Sequence, residues 1–155
     1  MTGGRSDLVS NRQRGIRVNV TALERFARDV CSALEFADDA VAVQLISDAA
    51  MAGLNRRYRH KRGSTDVLSF PTQSANGSAA HRRKPAEAGY VGDIAISPAM
   101  ARRNARRDGR SLPDELKILL LHGMIHLAGY DHETDQGQME RLEMKLRRRL
   151  GLTSQ

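Results

Sequence analysis

The sequence predicts an α+β fold, a single domain in which a small mixed four-stranded sheet packs with about five helices. Two observations predict it. Short runs rich in Val and Ile alternate with longer segments whose apolar residues recur every three or four positions. The 155 residues suffice for one hydrophobic core and are too few for two.

The elements follow in chain order. Residues 1–15 are polar, contain Gly and Arg, and are expected to form a disordered N-terminal extension, with the domain proper over 16–152. Residues 16–20 alternate apolar and polar side chains and read as a short strand. Thr21 and Glu24 make a Thr-x-x-Glu capping box for a helix to about Phe36, with Leu23, Phe26, Ala27, Val30 and Leu34 at helical spacing. Residues 41–46 form a β-branched strand. Ser47 or Asp48 caps a second helix with Met51, Leu54 and Tyr58 as its buried stripe, followed by the basic loop Arg59-His60-Lys61-Arg62-Gly63. Residues 65–70 read as a third strand ended by Pro71. Residues 72–89, with His81-Arg82-Arg83-Lys84-Pro85, are expected to be a mobile loop. A fourth strand over 90–96 precedes Ser97-Pro98, an N-cap with proline at the first helical position. That helix carries Arg102, Arg103, Arg106 and Arg107. Ser111, with Pro113 and Asp114, opens the next helix, and the last one spans about 135–150 with Met139, Leu142, Leu146 and Leu150 on one stripe. No repeat is present.

The chain has 25 Lys plus Arg against 18 Asp plus Glu, and a pI near 10.3, a balance that favours polyanionic partners, nucleic acid first. Three Tyr, three Phe and no Trp argue against a base-stacking platform, so phosphate and shape contacts are the expected mode. The single Cys31 excludes an internal disulfide and a thiolate metal site. The N-terminus lacks a signal-peptide core, and the apolar run 118–121 is far too short to span a membrane. A cytoplasmic protein without membrane partners is expected.

His122, His126 and His132 are the most informative residues. The first two lie one helical turn apart on the same face. Gly129 permits positive φ, so the helix can end and His132 can return to the pair. Three imidazoles without a fourth protein ligand suit a zinc ion with a position open for water. The spacing matches the metzincin pattern His-Glu-x-x-His-x-x-Gly-x-x-His, except that Gly123 replaces the glutamate base. Loss of that base removes a contribution of roughly 10²- to 10⁴-fold to peptide hydrolysis.

Three blocks together carry a family resemblance: Leu54-Asn55-Arg56-Arg57-Tyr58-Arg59, Thr65-Asp66-Val67-Leu68-Ser69-Phe70-Pro71, and His122 to His132, with Gly92-Asp93-Ile94 between. Over residues 54–132 the chain resembles the YbeY family of bacterial rRNA-maturation endoribonucleases. The resemblance implies one Zn2+ per chain on His122, His126 and His132, and a single-strand-type endoribonuclease. It also implies action in small-subunit rRNA 3′-end maturation and ribosome quality control, with rRNA and small ribosomal subunit components as partners and no DNA. Arg59 matches the family's functional arginine, so Arg59 and His122 are the candidate catalytic residues. A planar guanidinium at Arg59 suits bidentate phosphate binding, and His60, Lys61 and Arg62 suit salt-sensitive backbone contacts. Asp66, Asp93 and Asp131 are each open to two readings, a carboxylate orienting a ligand histidine or a strand-end cap or salt bridge.

Two other functions compete. A zinc metallopeptidase is opposed by Gly123 and by the basic charge. A non-catalytic RNA-binding ribosome assembly factor with a bound metal is opposed by the ligand count, since a structural zinc is normally closed by four protein ligands. The native metal, the cleavage position, the general base and the oligomeric state are not readable from the sequence.

Overall fold

Backbone pairing in a sheet leaves alternate side chains on opposite faces, and here the two faces are covered unequally. The computed structural model of the chain describes residues 8–72, 89–131 and 134–152. Four strands, β1 (Val9–Asn11), β2 (Val41–Leu45), β3 (Val67–Pro71) and β4 (Gly92–Ile96), form one sheet in the order β1-β2-β4-β3. β1, β2 and β4 run parallel, and β3 lies antiparallel along β4. Val43 of β2 and Ile94 and Ile96 of β4 point into the larger core, which includes residues of α1 (Val20–Ala33), α4 (Leu112–Leu127) and α5 (Gln138–Arg149). On the opposite face Leu68 and Ala95 meet Met51 of α2 (Asp48–Arg59). The remaining helix, α3 (Pro98–Asp108), buries Ala101 and Ala105 and exposes its arginines. The predicted α+β architecture, a four-stranded mixed sheet with five helices, is therefore the observed one.

α4 is the centre of the packing, in contact with α1, α3, α5, β3 and β4. Leu120, Leu121, Met124 and Ile125 are wholly inaccessible, each burial stabilising by about 2 kcal/mol. Ser111 caps its start by accepting from Asp114 N at 3.2 Å, as predicted. Gly129 takes φ +105° just beyond its end, also as predicted, and Tyr130 N donates to Ile125 O across the turn.

The first strand differs from expectation. It is Val9–Asn11, inside the segment expected to be disordered, while residues 16–20 form no strand. β1 exists because its backbone pairs with β2, Val9 opposite Val43. Ile16 is nevertheless buried, and Val18 and Val20 pack on the larger core, so the alternation marked burial rather than extension. The Thr21 capping box is also replaced. Asn19 is the N-cap, accepting from Ala22 N at 3.0 Å, and Glu24 instead accepts from Leu8 N at 2.8 Å, tying β1 to α1. Tyr58, expected in the buried stripe of α2, is 56% exposed and meets Phe70 edge to face at 5.3 Å. Asn55 takes the inner position and donates through Nδ2 to Gly63 O at 3.0 Å. The predicted mobile loop lies almost wholly outside the described residues. No helix among the described residues is long and apolar enough to cross a membrane.

Candidate functional site

The last turns of α4 present His122 and His126 together, as their four-residue spacing requires. Their ring centroids are 4.8 Å apart with planes at 80°. His122 Nδ1 hydrogen-bonds Glu143 Oε1 at 2.9 Å, and His126 Nδ1 hydrogen-bonds the Tyr130 carbonyl at 3.0 Å. A carbonyl or a carboxylate only accepts, so each Nδ1 is the donor. In the neutral rings Nε2 then carries the lone pair, the form in which histidine ligates metals. This donor chemistry fits a borderline-soft divalent ion such as zinc.

Among the described residues no three His, Cys, Asp or Glu side chains are grouped to hold a metal ion. The third predicted ligand, His132, lies outside the described residues. Asp131, immediately before it, lines the same cavity as the two described histidines.

That cavity encloses about 900 Å³. Arg59, Ser69, His122, His126, Glu143 and Arg147 line it, drawing α2, β3, α4 and α5 to one place. Arg59 is the last residue of α2, and the helix stops because His60 adopts a left-handed conformation at φ +57°. Arg56, Arg57 and Arg59 complement the helix dipole there, and of the three Arg59 lines the cavity. Ser69 Oγ donates to Gly123 O at 3.1 Å, fixing β3 against α4 directly behind the histidines.

Gly123 is explained by contact. A Cβ built there would lie 3.2 Å from both Ile94 Cδ1 and Ser69 Oγ, so a side chain here would force these neighbours to give by a few tenths of an ångström. A glutamate at this position would point into the sheet.

Two of the three candidate aspartates bond to groups other than the site histidines, although Asp66 also lines the cavity. Asp66 accepts from Val67 N at 2.8 Å and from Asn104 Nδ2 at 3.1 Å, capping β3 and joining it to α3. Asp93 accepts from the Tyr90 hydroxyl. The carboxylate that does meet a site histidine is Glu143, which the sequence reading passed over. Its one available signal was position, four residues before Arg147 and next to the buried stripe of α5. Burial raises the Glu143 pKa, but the bonds from His122 and Arg147 outweigh it and hold the carboxyl below its usual range.

The model of the family described as Endoribonuclease YbeY matches residues 8–151. A Koribacter versatilis protein named Endoribonuclease YbeY is 47% identical over 114 residues, covering 74% of this chain and 66% of that protein. A Solibacter usitatus protein of the same name is 43% identical over 132 residues, covering 84% and 79%. The solution structure of TM1509 from Thermotoga maritima has a similar fold, with a TM-score of 0.60 at 24% identity over 92% of this chain and 88% of that one.

Proposed function

The chain belongs to the endoribonuclease YbeY family, and from that membership we propose that it hydrolyses RNA phosphodiester bonds in rRNA processing, at the cavity shared by His122, His126 and Arg59. The finer reading is maturation of the small-subunit rRNA 3′ end and ribosome quality control in the cytoplasm, with ribosomal components as partners. His122, His126 and His132 hold one divalent ion, zinc by the softness of an all-imidazole donor set. When bound, such an ion supplies a Lewis acid and a more acidic water.

The protein's own groups do the rest. Arg59 binds the non-bridging oxygens of the scissile phosphate and neutralises charge that grows in the transition state. Its position at a helix end that stops sharply at His60 gives the guanidinium a fixed base. Arg56, Arg57, Lys61 and Arg62 hold flanking phosphates through salt-sensitive contacts. The single observation that carries this reading is the pair of imidazoles, both bonded through Nδ1, in one cavity with an arginine. Family membership and the contact at Gly123 stand against the peptidase, and the arginine that shares the histidines' cavity stands against a purely structural metal.

Metal analysis paired with an RNA cleavage assay tests it. Wild type should hold about one divalent ion per chain and cut RNA, and His126→Ala should lose both. His126→Ala that kept the full metal content and the wild-type cleavage rate would overturn the assignment.

A further inference from the structure

Two side chains of α5 reach the cavity without a part in the chemistry assigned above. Glu143 and Arg147 stand one helical turn apart, and both are largely screened from solvent. The carboxylate is divided between two partners. Oε1 meets His122 Nδ1 at 2.9 Å, and Oε2 accepts from an Arg147 terminal nitrogen at 2.8 Å. We propose that Glu143 is a positioning residue that fixes His122 in its Nδ1-protonated tautomer, and that Arg147 holds Glu143 in the orientation that does so.

The two site histidines are orientated by different means. His126 has a backbone carbonyl as its acceptor, supplied by the turn at Gly129 and beyond the reach of any side-chain substitution. His122 depends on a side chain from another helix. A neutral imidazole lacking such an acceptor shares its proton between both nitrogens, and only one of those forms carries a lone pair on Nε2. A lone glutamate has three torsions through which to leave His122, and the second bond to Arg147 removes that freedom.

Arg147 itself gains little from its place. Among the described residues its Nε is buried with no hydrogen-bond partner and its ion pair is with Glu143. A buried donor left unmade is unfavourable. The guanidinium is thus placed to serve the carboxylate, and methionine would fill similar volume without an orphaned donor.

The experiment has two readouts. Nitrogen-15 NMR of the metal-free protein reports the tautomer of each histidine, and competition against a chelating dye reports zinc affinity. In wild type His122 and His126 should both be protonated at Nδ1. In Glu143→Ala the His122 signals should move to a mixture while those of His126 stay, and zinc should bind 10- to 100-fold more weakly. Arg147→Met should give a smaller loss of the same kind, with none added when Glu143 is already Ala. Arg147→Met also secures the test should Glu143→Ala fold poorly, because it leaves the carboxylate in place. A folded Glu143→Ala with His122 still held as the Nδ1 tautomer, or an Arg147→Met indistinguishable from wild type in both readouts, overturns the proposal. The affinity arm rests on His122 being a metal ligand. Should wild type bind no zinc while the tautomer still answers to Glu143, the metal reading fails and the positioning role stands.

Discussion

Gly123→Ala sets two effects of similar size against each other, and the structure decides between them. In a helix interior alanine is favoured over glycine by about 1 kcal/mol. The added methyl would lie 3.2 Å from Ile94 Cδ1, 3.2 Å from Ser69 Oγ and 3.3 Å from Ile94 Cγ2. Ile94 is 1% exposed within the larger core, and Ser69 is tied by its bond to the Gly123 carbonyl. Overpacking of this kind costs about 1–3 kcal/mol, and loosening the Ser69 hydroxyl bond adds about 1 kcal/mol. Gly123→Ala should therefore destabilise by about 1–3 kcal/mol. Gly123→Glu, which recreates the protease pattern, should lose roughly 3–5 kcal/mol or fail to fold, since it presses an unpaired carboxylate into the sheet. Urea unfolding followed by circular dichroism measures both, provided the dependence on urea is unchanged. An alanine variant more stable than wild type by the full helix-propensity gain would show that Ile94 and Ser69 yield freely. The steric account of this glycine would then be wrong.

Arg59→Ala should lower RNA turnover on the order of 10²- to 10³-fold with a smaller change in affinity, and Arg59→Lys should rescue only partly. Wild-type turnover by Arg59→Ala at saturating RNA would reduce the residue to a binding contact. Burial, aided by the charge of Asp38 and opposed by that of Arg28, raises the Cys31 thiol to about 11. Native protein at pH 8 should accordingly resist a thiol reagent that labels it at once in denaturant. Asp48 is raised by burial but lowered more by bonds from Ser97, Arg103 and Ser64, so its folded pKa lies below the ordinary value of 3.8. The stability this gives is present above the unfolded pKa and lost as pH falls through the folded one. The melting temperature of Asp48→Asn should hence trail wild type at pH 6, and the gap should close towards pH 2. A gap that held constant with pH would rule out the charge as its cause.

What the sequence made legible was whatever is decided locally. The spacing of His122 and His126, the Ser111 cap and the positive φ of Gly129 all follow from a few neighbouring residues, and each is observed. Arg59 reached the reading through a motif, and the fold brings it to the same cavity as the histidines. What escaped is decided across the chain. Val9–Asn11 is a strand because β2, more than thirty positions later, offers it an edge, and three residues are too few to show a period. Glu24 looked like half of a capping box because its actual partner, Leu8 N, lies immediately before that same unseen strand. Glu143 has the appearance of an ordinary helix-surface acid, and only the packing of α5 on α4 brings it to His122. His132, the third ligand of the sequence reading, lies outside the described residues.

The burial of α4 also fixes where the enzyme can give way. Ten of its sixteen residues are buried, so no local fluctuation releases it without disrupting every neighbouring element. Backbone amides around Met124 and Ile125 should then exchange with deuterium only when the entire molecule unfolds. Arg59 and residues 60–63, by contrast, are exposed, and the core under α2 is the smaller of the two. The histidine pair thus stands on the most deeply packed helix of the protein, and the arginine stands on the exposed end of another.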